Sequence, residues 1–87
     1  MKVLLDGQAF KNKEATYHYL IERLSLPHYT GHNLDALWDV LGDSQPLEIE
    51  IYRSRLILDQ LGDYGRNILD LFGDASIEFN HEVVLHW

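Results

Sequence analysis

The sequence predicts a two-layer α/β domain: a three-stranded parallel sheet in the order 1-2-3, helices on one face only, and the chain order β-α-α-β-α-α-β. Three observations carry this. Leu47–Tyr52 and Glu82–Trp87 alternate apolar and polar residues at period two, and an apolar run opens the chain at Lys2–Asp6; these are the strands. The stretches between them repeat apolar residues at helical spacing, and helical crossovers impose parallel pairing with right-handed connections. A parallel strand covered on both faces is continuously apolar. The alternation seen here is one-sided, so the helices belong on one side of the sheet.

In the opening strand Val3 and Leu5 face inward, and Leu4 is the one apolar residue facing out. Asp6-Gly7 closes it as a turn. Asn12 is placed to cap a helix from Lys13 to about Ser25, with Tyr17, Leu20, Ile21 and Leu24 as its apolar stripe. Pro27 ends that helix, because the residue before a proline avoids the helical region. His28–His32 reads as a loop in which Gly31 is free to take positive φ. Asn33 caps a second helix, Leu34 to about Leu41, with Leu34, Leu37 and Leu41 inward and Gly42 as its stop. In the central strand Leu47, Ile49 and Ile51 point one way and Glu48, Glu50 and Tyr52 the other. Ser54 is expected to cap a third helix, Arg55–Leu61, ended by Gly62, and Asp63 a fourth, starting at Tyr64. Ile68, Phe72, Ala75 and Phe79 continue one helical stripe to near Asn80. A competing reading breaks the helix at Gly73 and pairs Ser76–Phe79 with the last strand, in which Val83, Leu85 and Trp87 point inward.

The 87 residues form one domain, residues 1–87, large enough to fold around a modest core. A 46% hydrophobic content argues against disorder. Fourteen acidic against seven basic residues, a net charge of −7, argue against nucleic acid and anionic membrane as partners and favour a basic protein. The chain has no cysteine, which removes thiol chemistry and mildly favours the cytoplasm. Its short N-terminal apolar run is no signal peptide, and no run approaches membrane-spanning length. We therefore expect a soluble cytoplasmic protein.

One stretch, Leu26–Asp43, is costly for stability. Asp35, Asp39 and Asp43 recur every four residues, so they share a helix face and repel by a few tenths of a kcal/mol per pair. Asp39 and Asp43 also sit toward the negative end of the helix dipole. Trp38 lies between Asp35 and Asp39 at the margin of the core stripe, half core and half surface, where aromatic side chains beside charges serve as interface anchors. The plainer alternative is a solvated acidic face with a core tryptophan. Asp35 and Asp39 are also spaced like the carboxylate pair of a retaining glycosidase, but a helix face on so small a domain offers little of the concavity a substrate needs. His28 and His32, four apart with Asp35 three residues further on, lie on a loop without fixed geometry, so surface histidines are preferred to a metal site. His18, His81 and His86 show no partner pattern. No catalytic residue, metal or cofactor is assigned, and the protein is not read as an enzyme.

The run Leu26-Pro27, Tyr29, then Gly31-His32-Asn33-Leu34-Asp35-Ala36-Leu37-Trp38-Asp39 resembles the barstar family of ribonuclease inhibitors. NLDALWD is its specific core, and the layout of the whole chain agrees more loosely. The resemblance implies the same three-stranded parallel fold. It also implies an inhibitor of a guanyl-specific ribonuclease secreted by the same bacterium, or of a related toxin nuclease, acting as cytoplasmic, antitoxin-like immunity. The binding positions it implies are Tyr29, Gly31, Asn33, Leu34, Asp35, Trp38 and Asp39, with Asp74 on the fourth helix, counted from Phe72. It further implies Asp39 as a mimic of RNA phosphate, Asp35 as support for the guanine-side contacts, and Tyr29 stacked on a catalytic histidine. The expected state is a monomer or a 1:1 complex. The alternative function is a non-inhibitory adaptor that binds another basic protein through the same acidic face.

Overall fold

A computed structural model of residues 1–87 contains β1 (Lys2–Asp6), α1 (Lys13–Arg23), α2 (Leu34–Asp43), β2 (Glu48–Tyr52), α3 (Arg55–Leu61), α4 (Asp63–Glu78) and β3 (Glu82–Leu85), with a 3-10 turn at Gly7–Ala9. The sheet is parallel throughout, with β2 in the centre. In register, Val3, Ile49 and Val83 form one inward row, and Leu5, Ile51 and Leu85 the next. On the other face Leu4, Tyr52 and Val84 are exposed, as one-sided alternation requires. The core is one contiguous cluster, in which Val3, Leu5, Ile49 and Ile51 of the sheet meet Tyr17, Leu20, Leu37, Leu41, Ile68 and Phe72 of the helices. No helix is long and apolar enough to cross a membrane.

Two of the expected caps form. Asn12 Oδ1 accepts the Ala15 N–H at 2.8 Å, and Asn33 Oδ1 accepts the Ala36 N–H at 2.8 Å. Two others do not. Ser54 lies in helical conformation, is buried, and donates its hydroxyl to the Ile51 carbonyl at 2.7 Å, so it ties α3 to the end of β2. Asp63 is already inside α4, whose cap position is Gly62. Helix α1 stops at Arg23 rather than Ser25. Ser25 turns left-handed at φ 54, and the Leu26 N–H reaches the Ile21 carbonyl at 2.9 Å. This Schellman closure acts before Pro27 is reached.

Gly42 does not stop α2, which continues to Asp43. A Cβ at Gly42 would lie 3.0 Å from Phe79 Cζ, so its missing side chain makes room for an aromatic ring from the end of α4. Helix α4 runs unbroken through Gly73, which faces open space, and Ile68, Phe72 and Ala75 are buried along it. The hairpin alternative for Ser76–Phe79 is therefore overturned.

The last strand is less buried than its alternation suggests. Leu85 is 43% and Trp87 65% exposed, because β3 is an edge and is paired on one side only. The histidines read as partnerless have partners. His81 is buried, takes the Leu47 N–H on Nδ1 at 3.0 Å, and has Nε2 2.8 Å from the Leu41 carbonyl. His86 Nε2 lies 2.8 Å from Glu50 Oε1, and its ring stacks on Tyr52.

Candidate functional site

Helix α2 is seated by Leu37 and Leu41, both buried, so Asp35 and Asp39 are turned to solvent. Trp38 falls between the two faces. It is half-buried, and its ring lies against Phe79 at 4.6 Å between centroids. Helix α4 is seated by Ile68, Leu71, Phe72 and Ala75, which turns Asn67, Asp70 and Asp74 outward. Between the two helices lies a shallow groove of about 320 Å³, open to solvent. Leu34, Trp38 and Leu71 make its apolar part; Asp35, Asp70, Asp74 and Asn67 supply the polar groups. The face is a shallow, open depression rather than an enclosed pocket. No lysine or arginine lines it, so its field is negative.

The preceding loop is held down rather than free. Thr30 is buried, and both its hydroxyl, at 2.6 Å, and its N–H, at 3.0 Å, donate to the Pro27 carbonyl. That leaves Tyr29 88% exposed beside it. Gly31 does not take positive φ. A Cβ there would lie 3.1 Å from Asn33 Nδ2 and 3.2 Å from Ala36 Cβ, so glycine serves the close approach of the loop to the start of α2. A second cleft of about 400 Å³ adjoins the groove through Leu34 and Asp35, and is completed by Lys13, His32, Asn33 and Tyr64. Beneath it, burial and the Tyr64 hydroxyl together hold the Tyr17 phenol far above the usual tyrosine range.

The expected residues divide. Leu34, Asp35, Trp38 and Asp74 meet in the groove, and Asn33 lines the adjoining cleft. Tyr29 and Asp39 are exposed outside both. Asp43 is within α2, not beyond its end. Asn67 and Asp70 were not anticipated. Their signal lay in the spacing Asn67, Asp70, Asp74, a polar ladder on α4 that answers the one on α2. His28, His32 and Asp35 do not gather; His32 lies instead with Glu14 and His18. Carboxylates around an apolar, half-aromatic floor can accept charge-assisted hydrogen bonds from guanidinium and ammonium groups while burying the apolar parts of the same side chains.

A family model described as Barstar (barnase inhibitor) matches residues 1–87. The protein named "Putative ribonuclease inhibitor YrdF" of Bacillus subtilis (strain 168) is 34% identical over 83 residues, covering 93% of this chain and 91% of its own length. A match over every residue, on a fold with the three-stranded parallel sheet and paired helical crossovers, makes this chain a member of the barstar family.

Proposed function

We propose that this chain is a ribonuclease inhibitor that binds and occludes the basic active site of a bacterial guanyl-specific ribonuclease or a related toxin nuclease. The observation that carries the reading is the gathering of Asp35, Asp70 and Asp74 around a groove whose apolar part includes Trp38, with Asp39 and Tyr29 projecting beside it. A nuclease holds RNA phosphate with arginine, lysine and histidine side chains. A carboxylate set where that phosphate binds takes over its charge-assisted hydrogen bonds. In this role Asp39, exposed beside the groove, mimics the phosphate, and Asp35 supports the guanine-side contacts. Tyr29 stacks on a catalytic histidine, Trp38 anchors the interface, and Asp74 and Asp70 extend the acidic surface from α4. Gly31, Asn33 and Leu34 shape the loop and the helix start. The protein acts as a 1:1 cytoplasmic partner and performs no catalysis itself.

Titration of the purified chain into a guanyl-specific secreted ribonuclease, with RNA cleavage as readout, tests this. Activity should fall to near zero at one equivalent. Binding without loss of cleavage would instead mark an adaptor.

A further inference from the structure

His32, which lines the second cleft, and His18, edge-on to its ring, are not needed by the groove. Glu14 and His18 stand at i and i+4 on α1, on one face of the helix. His32 comes from the loop before α2. Its Nδ1 is 3.2 Å from each Glu14 carboxylate oxygen, and His18 Nε2 is 3.8 Å from Glu14 Oε2. One ligand atom from each of the three residues lies within 4.8 Å of the others. The His32 ring is held from below, stacked on the ring of buried Tyr17 at 5.7 Å and 10°, and Tyr17 is fixed by its hydroxyl contact with Tyr64. His18 approaches His32 edge-on at 5.1 Å between centroids.

We infer that Glu14, His18 and His32 form a zinc-type divalent cation site that fastens α1 to the loop in front of α2. In tetrahedral zinc coordination with bonds near 2.1 Å, neighbouring ligand atoms stand about 3.4 Å apart. The contacts of 3.2 and 3.8 Å from Glu14 bracket that spacing. His18, with its side chain 72% exposed, is free to swing the remaining distance. Two imidazoles and a carboxylate are a borderline-soft donor set that suits zinc; magnesium and calcium prefer oxygen ligands only. A Glu14–His32 hydrogen bond accounts for one of the two rings. The i,i+4 spacing on α1 brings His18 to the same carboxylate, and a cation shared by all three would use every ligand atom of the cluster. The fourth position faces solvent and takes a water. The site stands on α1 and the loop alone and does not depend on the proposed inhibition.

The test is calorimetric titration of zinc sulfate into the untagged chain in a non-coordinating buffer, beside His18→Ala, His32→Ala and His28→Ala. One zinc per chain should bind the parent and His28→Ala alike. Each of the other two should bind at least about tenfold more weakly, since even residues that only support a ligand are worth about that much. Zinc should raise the thermal midpoint of the parent and leave that of the His18→Ala/His32→Ala double variant unmoved. Magnesium should give no saturable heat. Both replaced histidines lie on the surface, so circular dichroism should show all variants folded. No saturable zinc binding, binding that survives in the double variant, or binding lost with His28 would each overturn the site.

Discussion

The rings of Trp38 and Phe79 lie 4.6 Å apart between centroids, tilted by 51°, and the Phe79 ring also covers Gly42. A residue at the C-cap of α4 therefore sets the position of the tryptophan that lines the groove. Phe79→Ala should cost about 1.5–2.5 kcal/mol, roughly half the value for a fully buried phenylalanine, because Phe79 is half-buried. The urea midpoint measures this. Loss of the ring should also red-shift Trp38 emission, and Phe79→Leu should recover part of both effects.

His81 joins three elements through one side chain. Its hydrogen bonds assign a neutral ring with the proton on Nε2, facing the Leu41 carbonyl, and a bare Nδ1 facing the Leu47 N–H. His81→Ala leaves the buried Leu47 N–H unpaired, at about 1–3 kcal/mol, and the Leu41 carbonyl with only its 3.4 Å bond from the Ser44 N–H. We expect a loss of about 1–3 kcal/mol in urea unfolding, and faster hydrogen exchange at the Leu47 amide. A variant within 0.5 kcal/mol of the parent, roughly the effect of an ordinary surface change, would show that the bridge is dispensable.

The open face of the sheet carries an acid-sensitive network. Glu50 takes Lys2 at 2.9 Å and His86 at 2.8 Å. The Lys2 hydrogen bond above all, then that of His86, lowers the Glu50 carboxyl from 4.5 to about 2. Arg53 holds Asp6 low in the same way. A carboxyl depressed in the folded state stabilises it fully above its unfolded value, and that contribution is lost as pH falls from about 4.5 toward about 2. The gap in urea midpoint between the parent and Glu50→Gln should be largest at neutral pH, though small for so exposed a pair, and close as acid is added through this window. A gap that does not change with pH would rule the linkage out.

The acidic ladder on α2 should prove unequal. On the proposed reading, Asp39→Ala strips charge-assisted bonds from a desolvated interface and weakens nuclease binding by about 3–5 kcal/mol, about two to four orders of magnitude. Asp43→Ala should change it by less than tenfold. Asp70→Ala and Asp74→Ala should fall between. All four substitutions lie on exposed rows and should leave folding stability unchanged or slightly raised, since each relieves like-charge repulsion. Equal affinity for Asp39→Ala and the parent in surface plasmon resonance would remove the phosphate-mimic role.

The association rate should fall steeply between about 50 and 500 mM salt, as the Debye length contracts from more than 10 Å to a few ångströms. Charge steering of a basic partner toward the α2–α4 face predicts this fall, with the dissociation rate changing less. A flat profile would mean that the acidic groove does not guide the encounter.

The sheet order and the helical stripes were legible because they depend on local period alone. One-sided alternation in Leu47–Tyr52 was enough to place the helices on one face. The misreadings have different causes. Gly42 looked like a helix stop because nothing nearby says that Phe79 occupies its side-chain space. Ser54 looked like a cap because its true acceptor is the end of β2. Leu85 and Trp87 looked buried because alternation reports which way a residue faces, not whether anything covers it at an edge. In the site, the α2 ladder was plain from spacing and resemblance, while Asn67 and Asp70 went unread until α4 was seen to form the opposite wall. His32 was grouped with its sequence neighbours, although its contacts lie on α1.

The two walls of the groove belong to different halves of the chain. Helix α2 sits in the crossover from β1 to β2, and α4 in the crossover from β2 to β3. Neither half alone has the groove, so a ligand touching both walls detects whether folding is complete. A destabilising change in the core would then lower the fraction of competent molecules while each surviving molecule binds at full strength. A fragment carrying only the loop and α2 would keep the most recognisable residues and lose the surface.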